Sequence, residues 1–159
     1  MVAFLVAGAS LMAAGCGSDD PDQPPESMAT DAVLTALVDW EVESDAAPTT
    51  TDDETLVVYI TASNGDTIDA AVQASVVAAT TDDATVRFAD DRSEAIDDQS
   101  DDQRVHDDGV LLVVGELPVD APPSDVTVER YRDVDDASVF ILTVTPNGDG
   151  ASVTGEKAG

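Results

Sequence analysis

The chain has 159 residues, with 34 Asp and Glu against 6 Lys and Arg, and its formal net charge is −28. This excess of negative charge excludes nucleic acid as the natural partner, because phosphates would be repelled rather than neutralised. A single Cys excludes an intramolecular disulfide, and a single His excludes a His-rich metal site. Val and Ala supply most of the apolar residues, enough for one modest folded core.

The amino-terminal stretch is apolar and has the length of an export signal. Residues 2–15 carry no charge and are mostly Val, Ala, Leu, Phe and Met. The run is shorter than the roughly 20 residues that a bilayer-spanning helix needs, and it matches the apolar region of a signal peptide, which has about 7–15. It ends in Ala13-Ala14-Gly15-Cys16, and polar residues follow at once.

At these residues the chain resembles the bacterial lipoproteins. In that family small residues precede a Cys whose thiol receives a diacylglycerol, and a peptidase then cuts before the Cys. Ala14 and Gly15 match the two positions before the cut, whereas Ala13 stands where the family usually has Leu or Val. The resemblance implies that residues 1–15 are a signal peptide. It also implies that Cys16, carrying acyl chains such as palmitate, anchors the chain at the extracytoplasmic side of the cell membrane.

Residues 16–27 are predicted to be an anchored tether. The sequence GSDDPDQPPES, residues 17–27, contains three Pro and four acidic residues without apolar spacing. This composition favours an extended, solvated chain. A single α+β domain is therefore expected over residues 28–159.

The first half of that domain alternates helix and strand. Apolar residues at helical spacing predict a helix over Thr30–Glu43. Leu56–Ala62 is a continuous, β-branched apolar run that predicts a central strand. Asp66 is a natural N-cap, so a second helix is predicted over Thr67–Ala79.

The second half is predicted to consist mostly of strands. Apolar alternation or continuous apolar runs favour strands at Ala84–Ala89, Gly109–Glu116, Val126–Arg132, Val139–Thr145 and Ala151–Thr154. Asn147-Gly148 is a strong turn signal for a hairpin between the last two strands. An acidic loop is expected at residues 90–108.

This order of elements predicts an α+β fold with two helices packed on a mainly antiparallel, curved and open sheet. The early β-α-β unit allows one parallel pair of strands. The NTF2-like and cystatin-like folds have a compatible order of elements and provide a loose analogy.

The acidic loop contains the candidate metal ligands. Its carboxylates belong to the hard oxygen ligands that Ca²⁺ and Mg²⁺ prefer. The candidates are Asp97, Asp98, Asp101, Asp102, Asp107 and Asp108. Because these residues occur as adjacent pairs, without the alternating spacing of an EF-hand, we expect diffuse cation binding rather than a specific metal site.

His106 lies in the same loop, which we expect to be mobile, and a mobile His is a poor catalytic group.

The arginines are informative because basic residues are scarce. Arg130 and Arg132 lie on one face of a predicted strand, and together with Arg87 they are a candidate anion-binding group. The alternative is that each forms salt bridges with the abundant acids around it.

The sequence contains no nucleophile elbow, P-loop, dinucleotide-binding glycine pattern or zinc motif, and no cofactor is predicted. We therefore expect a lipid-anchored, non-enzymatic module that binds an envelope protein or a small ligand. A carboxylate-based enzyme with its site in a sheet cleft and a divalent-cation-binding surface protein are the alternatives.

The acidity also predicts a response to salt. Self-repulsion at a charge of −28 opposes the compact state, and salt relieves this repulsion. Adaptation to a salty exterior is one explanation for the composition. A genome biased toward codons for Asp, Ala, Val and Thr is the other.

Overall fold

The computed structural model describes residues 29–45, 55–117, 123–148 and 150–158. Two α-helices are present among them, α1 (Thr30–Asp45) and α2 (Ala70–Thr80). The strands are β1 (Leu56–Ala62), β2 (Ala84–Phe88), β3 (Val110–Val114), β4 (Ser124–Tyr131), β5 (Ala137–Asn147) and β6 (Gly150–Lys157). The predicted signal peptide, Cys16 and the tether lie outside the described residues.

All of these strands belong to one sheet in the order β2-β1-β3-β4-β5-β6. β1 runs parallel to both β2 and β3, whereas the pairs β3-β4, β4-β5 and β5-β6 are antiparallel. The sheet is mixed, curls into an open half-barrel and carries both helices. The predicted α+β class, with two helices packed on a curved sheet, is therefore confirmed.

The main core lies between the helices and one face of the sheet, which we call the helix face. α1 contributes an apolar stripe and α2 contributes one fully buried Val. The fully buried members of this core include Val33, Leu34, Leu37, Val38, Val58, Ile60, Val76, Leu112 and Leu142. Burial of each such side chain is worth roughly 1.5–3 kcal/mol, so this interface is the main stabilising contact of the fold.

The opposite face of the sheet, which we call the cap face, is covered by residues 89–109, the cap segment. The apolar cluster beneath it consists of Tyr59, Ala95, Val105, Leu111 and Tyr131. Ile96 and Val105 form an isolated β-bridge, and Val105 N donates to Arg132 O at 2.8 Å. The acidic segment is therefore not an unattached loop, because a few apolar residues among the acids pack it against the sheet.

Local capping explains the main shift in a helix boundary. α2 begins at Ala70 rather than at Thr67, because Asp69 and not Asp66 is its N-cap. The Asp69 carboxylate accepts a hydrogen bond from Ala71 N at 2.8 Å. Asp66 instead closes a turn with Asn64.

The predicted hairpin between β5 and β6 is confirmed, and both strands are longer than expected. Asn147 pairs with Gly150, and Gly148 between them has φ +61, a conformation that glycine adopts without strain. Within the described ranges, no helix has the length and apolar character that crossing a membrane requires.

Candidate functional site

Polar side chains from neighbouring strands lie next to each other on the cap face, because the strands are in register. Arg87 pairs with Tyr59 across β2 and β1, so the two side chains lie side by side. Arg87 Nη1 donates to the Tyr59 hydroxyl at 2.7 Å, and that hydroxyl donates to Asp107 Oδ2 at 2.9 Å. Arg87 and Asp107 also form a salt bridge. This triad closes one end of the cap segment.

The triad changes the acidity of its members. Burial raises the pKa of Tyr59, and the hydrogen bond to Asp107 adds to the rise. The hydrogen bond from Tyr59 lowers the pKa of Asp107. Asp107 has φ +57, a left-handed conformation that is unusual for a residue with a side chain. The two partners of its carboxylate therefore hold a strained turn in place.

The two arginines of the cap segment are also paired. Arg92 lies over the ring of Tyr131, 4.2 Å from its centroid, and contacts Glu129 at 2.5 Å. Arg104 contacts Asp102 at 3.1 Å and Asp108 at 3.8 Å. Each of these two arginines therefore has a carboxylate partner.

The candidate metal ligands do not converge. Asp97 accepts a hydrogen bond from Gln99 N, and Asp102, Asp107 and Asp108 each face an arginine. Across the part of the chain that the structure describes, no three His, Cys, Asp or Glu side chains are grouped closely enough to hold a metal ion. Asp98 and Asp101, like His106, are exposed on the surface of the cap segment.

The three candidate arginines are not brought together. Arg87 lies on the cap face, whereas Arg130 and Arg132 lie at the end of β4 and both reach Glu41. Arg130 Nε donates to the two carboxylate oxygens of Glu41 at 2.9 and 3.1 Å, and Arg132 Nη2 lies 3.5 Å from Oε1. Asp136 contacts Arg130 at 3.3 Å from the other side. The positive charge of this pair is therefore already neutralised by carboxylates.

Glu41 is fully buried, yet its surroundings do not suit catalysis. A catalytic carboxyl group must reach a substrate, and Glu41 has no exposed surface and two guanidinium partners. The cluster fixes the carboxyl-terminal part of α1 to the end of β4. Its role is structural.

An open concavity on the described surface combines polar and apolar groups from three elements. This groove, of about 400 Å³, runs between α1, α2 and the start of β6. Asp31 and Asp39 of α1 supply its charges, Ser75 of α2 lies on one wall, and Gly150 and Ala151 of β6 form the other. Most of the remaining lining is Ala, so small apolar side chains separate the polar groups of the groove.

The electrostatic environment of the groove is negative. Partial burial raises the pKa of Asp39, and the nearby Asp83 and Glu43 carboxylates add to the rise. The pKa of Asp31 is lowered instead, because the Ser75 hydroxyl donates a hydrogen bond to its carboxylate at 2.6 Å. None of the residues that line the groove is basic. A positively charged group would therefore be stabilised there.

Sequence reasoning did not find Glu41 or the groove. Glu41 stands four residues after Leu37 and seven after Leu34, so it continues the apolar stripe of α1. An acid in that position is a signal of a buried cation partner. Asp31, Ser75 and Gly150 are far apart in the sequence, and no local pattern predicts that they meet.

No family model matches this chain, and comparisons with curated proteins and with solved structures give no match either.

Proposed function

We propose that this protein is a lipid-anchored, extracytoplasmic binding module with no catalytic site. The apolar run at residues 2–15 and the small residues before Cys16 support export and acylation. The Pro-rich acidic stretch at residues 17–27 supports a solvated tether between the lipid and the domain. The partner is an envelope protein or a small ligand.

The observation that carries the binding role is the contrast between filled and open surfaces. Apolar side chains fill the helix face, and the cap segment covers the cap face at Tyr59 and Tyr131. All five arginines, at positions 87, 92, 104, 130 and 132, are engaged by carboxylates. The groove beside β6 is open and lined by both polar and apolar groups, which supports a role in receiving another molecule.

The two other functions that the sequence allowed have weaker support. A carboxylate-based enzyme needs a carboxyl group that reaches a cleft, and the buried Glu41 faces two arginines instead. A specific cation site needs converging ligands, and the Asp residues of the cap segment diverge toward separate partners.

Mass spectrometry of the membrane fraction tests the anchor. We expect the native chain to begin at Cys16 and to carry the mass of a diacylglyceryl group and attached acyl chains. The matched variant Cys16→Ser should keep residues 1–15 and lack the added mass. Recovery of the native chain from the cytosol, unprocessed and with a free thiol, would contradict the proposal.

Protease treatment of intact cells tests the side of the membrane. An anchored extracytoplasmic domain should be digested by an added protease while a cytosolic marker survives. Protection of the domain until the cells are lysed would place it inside and overturn the assignment.

A further inference from the structure

Backbone strain is concentrated in one part of the cap segment. Among the residues that the structure describes, the non-glycine residues with positive φ are Gln103, Asp107 and Asp108, at +48, +57 and +50. Side chains disfavour this left-handed region, so each of the three raises the energy of the conformation in which the cap lies on the sheet. Strain of this kind persists only where surrounding contacts maintain it, and it clusters at switches and ligand clamps.

The cap segment is joined to itself by backbone hydrogen bonds. Ile96 and Val105, which form the isolated β-bridge, both belong to it. Two backbone hydrogen bonds flank the bridge, from Asp97 N to Arg104 O at 2.7 Å and from His106 N to Ala95 O at 2.9 Å. Because its two halves are bonded to each other, we expect the segment to move as one unit.

The strained residues are held on the sheet by the two tyrosines of the cap face. Tyr59 and Tyr131 lie in one row across that face, because each pairs in register with Leu111 between them. The Tyr59 hydroxyl donates to the Asp107 carboxylate at 2.9 Å, and the Tyr131 hydroxyl donates to Gln103 O at 2.9 Å. Two of the three left-handed residues therefore accept a tyrosine hydrogen bond. We call these two contacts the latch.

Electrostatic repulsion acts against the latch. Residues 89–109 contain nine acidic and two basic side chains, and they lie on a protein whose formal charge is −28. The two ion pairs that join the segment to strands, Arg87 with Asp107 and Arg92 with Glu129, are both partly exposed to solvent. Ion pairs with that much exposure contribute little to stability. Apart from the apolar contacts, the latch is therefore the main attachment of the cap.

We propose that the cap segment is a lid, which leaves the cap face as one unit while the helices and the sheet stay folded. Release of the latch relaxes the left-handed residues. It also exposes the row of Tyr59, Leu111 and Tyr131, with Arg87 next to Tyr59 at the end of the row. Aromatic and apolar groups beside a charged one are typical of ligand sites. The lid thus controls access to a surface distinct from the groove beside β6, which goes beyond the proposed function.

The aromatic residues of this chain allow lid opening and global unfolding to be measured separately. Its only tyrosines are Tyr59 and Tyr131, both beneath the cap, and its only tryptophan is Trp40, which packs against the core of the helix face. Nitration of the tyrosines by tetranitromethane, located by mass spectrometry, reports opening of the lid in the full chain. Exchange of the Val105 and Asp97 amides reports it independently, and Trp40 fluorescence reports unfolding of the domain.

Tyr59→Phe tests whether the cap moves as one unit. The substitution removes one contact of the latch and leaves Tyr131, under the other contact, as the only tyrosine. We expect nitration of Tyr131 and exchange at Val105 to become about fivefold faster, because one hydrogen bond is lost, while Trp40 fluorescence stays unchanged. Native rates at Tyr131 would show that the two ends move separately and would overturn the proposal.

Asp107→Asn and Asp108→Asn are a matched pair of variants that tests the latch itself. The two residues are adjacent, left-handed and acidic, and only Asp107 accepts the Tyr59 hydroxyl. Asp107→Asn should speed nitration of Tyr131 about three- to fivefold, since the charge that holds Tyr59 and Arg87 is lost. Asp108→Asn should stay within about twofold of the native rate. Equal effects of the two substitutions would contradict the assignment of the latch.

Glycine substitutions test the strain in the opposite direction. Gln103→Gly keeps the backbone oxygen that Tyr131 contacts and relieves the left-handed side chain, so nitration of Tyr131 should become about threefold slower. Gln99→Gly is the control, because Gln99 is also exposed in the cap but does not have a positive φ, and it should not slow nitration. No slowing by Gln103→Gly would overturn the proposal, as would exchange of the Val105 and Asp97 amides only through global unfolding. These measurements do not depend on acylation of Cys16, so their failure is distinguishable from failure of the membrane experiment.

Discussion

Arg130 donates from Nε to both carboxylate oxygens of Glu41, at 2.9 and 3.1 Å, and Glu41 has no exposed surface. The two residues are separated by 89 positions in the sequence. The contact therefore joins α1 to the end of β4, two elements that are far apart in the chain. A buried charge of this kind depends on its partner, because desolvation without pairing is costly.

Removal of the Glu41 carboxylate should destabilise the domain strongly. Glu41→Ala leaves Arg130 and Arg132 close together without their shared counter-charge, and we expect a loss of about 3–5 kcal/mol in the free energy of unfolding. Urea unfolding measures the change. Asp102→Asn is the matched control, since its salt bridge to Arg104 is more than half exposed and should be worth less than about 1 kcal/mol. Equal losses in the two variants would show that the Glu41 cluster contributes no more than a surface pair.

The fold was predictable from the sequence wherever local patterns were sufficient. Leu56–Ala62 was assigned with its observed boundaries, because a continuous β-branched run between polar stretches has few other interpretations. Asn147-Gly148 located the hairpin for the same reason. The class of two helices on one sheet followed from the order of such elements.

The candidate site was much less predictable, since it depends on contacts between distant parts of the chain. The groove brings Asp31, Ser75 and Gly150 together, and nothing near any of them in the sequence marks it as a lining residue. The packing of the cap segment depends on Ala95 and Val105, which lie in an acid-rich stretch and form no periodic pattern. Tertiary burial rather than local propensity fixes both features.

The two carboxylates of the groove should respond to pH with opposite signs. The pKa of Asp39 is raised in the folded chain, so its stabilising contribution is present below its unfolded pKa and is lost as the pH rises through the folded value. Asp39→Asn should therefore raise stability at neutral pH and have little effect near pH 3. The pKa of Asp31 is lowered, so its contribution is present above the unfolded pKa and is lost as the pH falls. Asp31→Asn should lower stability at neutral pH.

Urea midpoints at neutral pH and near pH 3 measure both effects. The two variants carry the same change of charge and differ in the surroundings of the substituted group. If the urea midpoints of both variants shift in the same direction at neutral pH, then the change in net charge alone determines the change in stability.

Salt should stabilise the domain because of its charge of −28. The Debye length falls from about 10 Å at 0.1 M to about 3 Å at 1 M, so repulsion between carboxylates on α1 and the cap segment is progressively screened. We expect the thermal midpoint to rise by at least about 5 °C between roughly 0.05 M and 2 M NaCl. Sucrose at matched osmolality is the control for solvent exclusion. An unchanged midpoint in NaCl would remove the support for salt adaptation.

Gly109 joins the cap segment to β3 at a point where its backbone passes close to β1. A Cβ at this position would lie 2.6 Å from Val57 O and 3.1 Å from His106 O, and backbone oxygens cannot easily move aside. We expect Gly109→Ala to lower the free energy of unfolding by about 1–3 kcal/mol and to speed hydrogen exchange at Val105. Gly150→Ala is the matched control, because its new Cβ would meet its nearest neighbour at an ordinary 3.7 Å. If both variants unfold at the same urea concentration as the native chain, then the close approach of Gly109 to β1 does not hold the cap on the sheet.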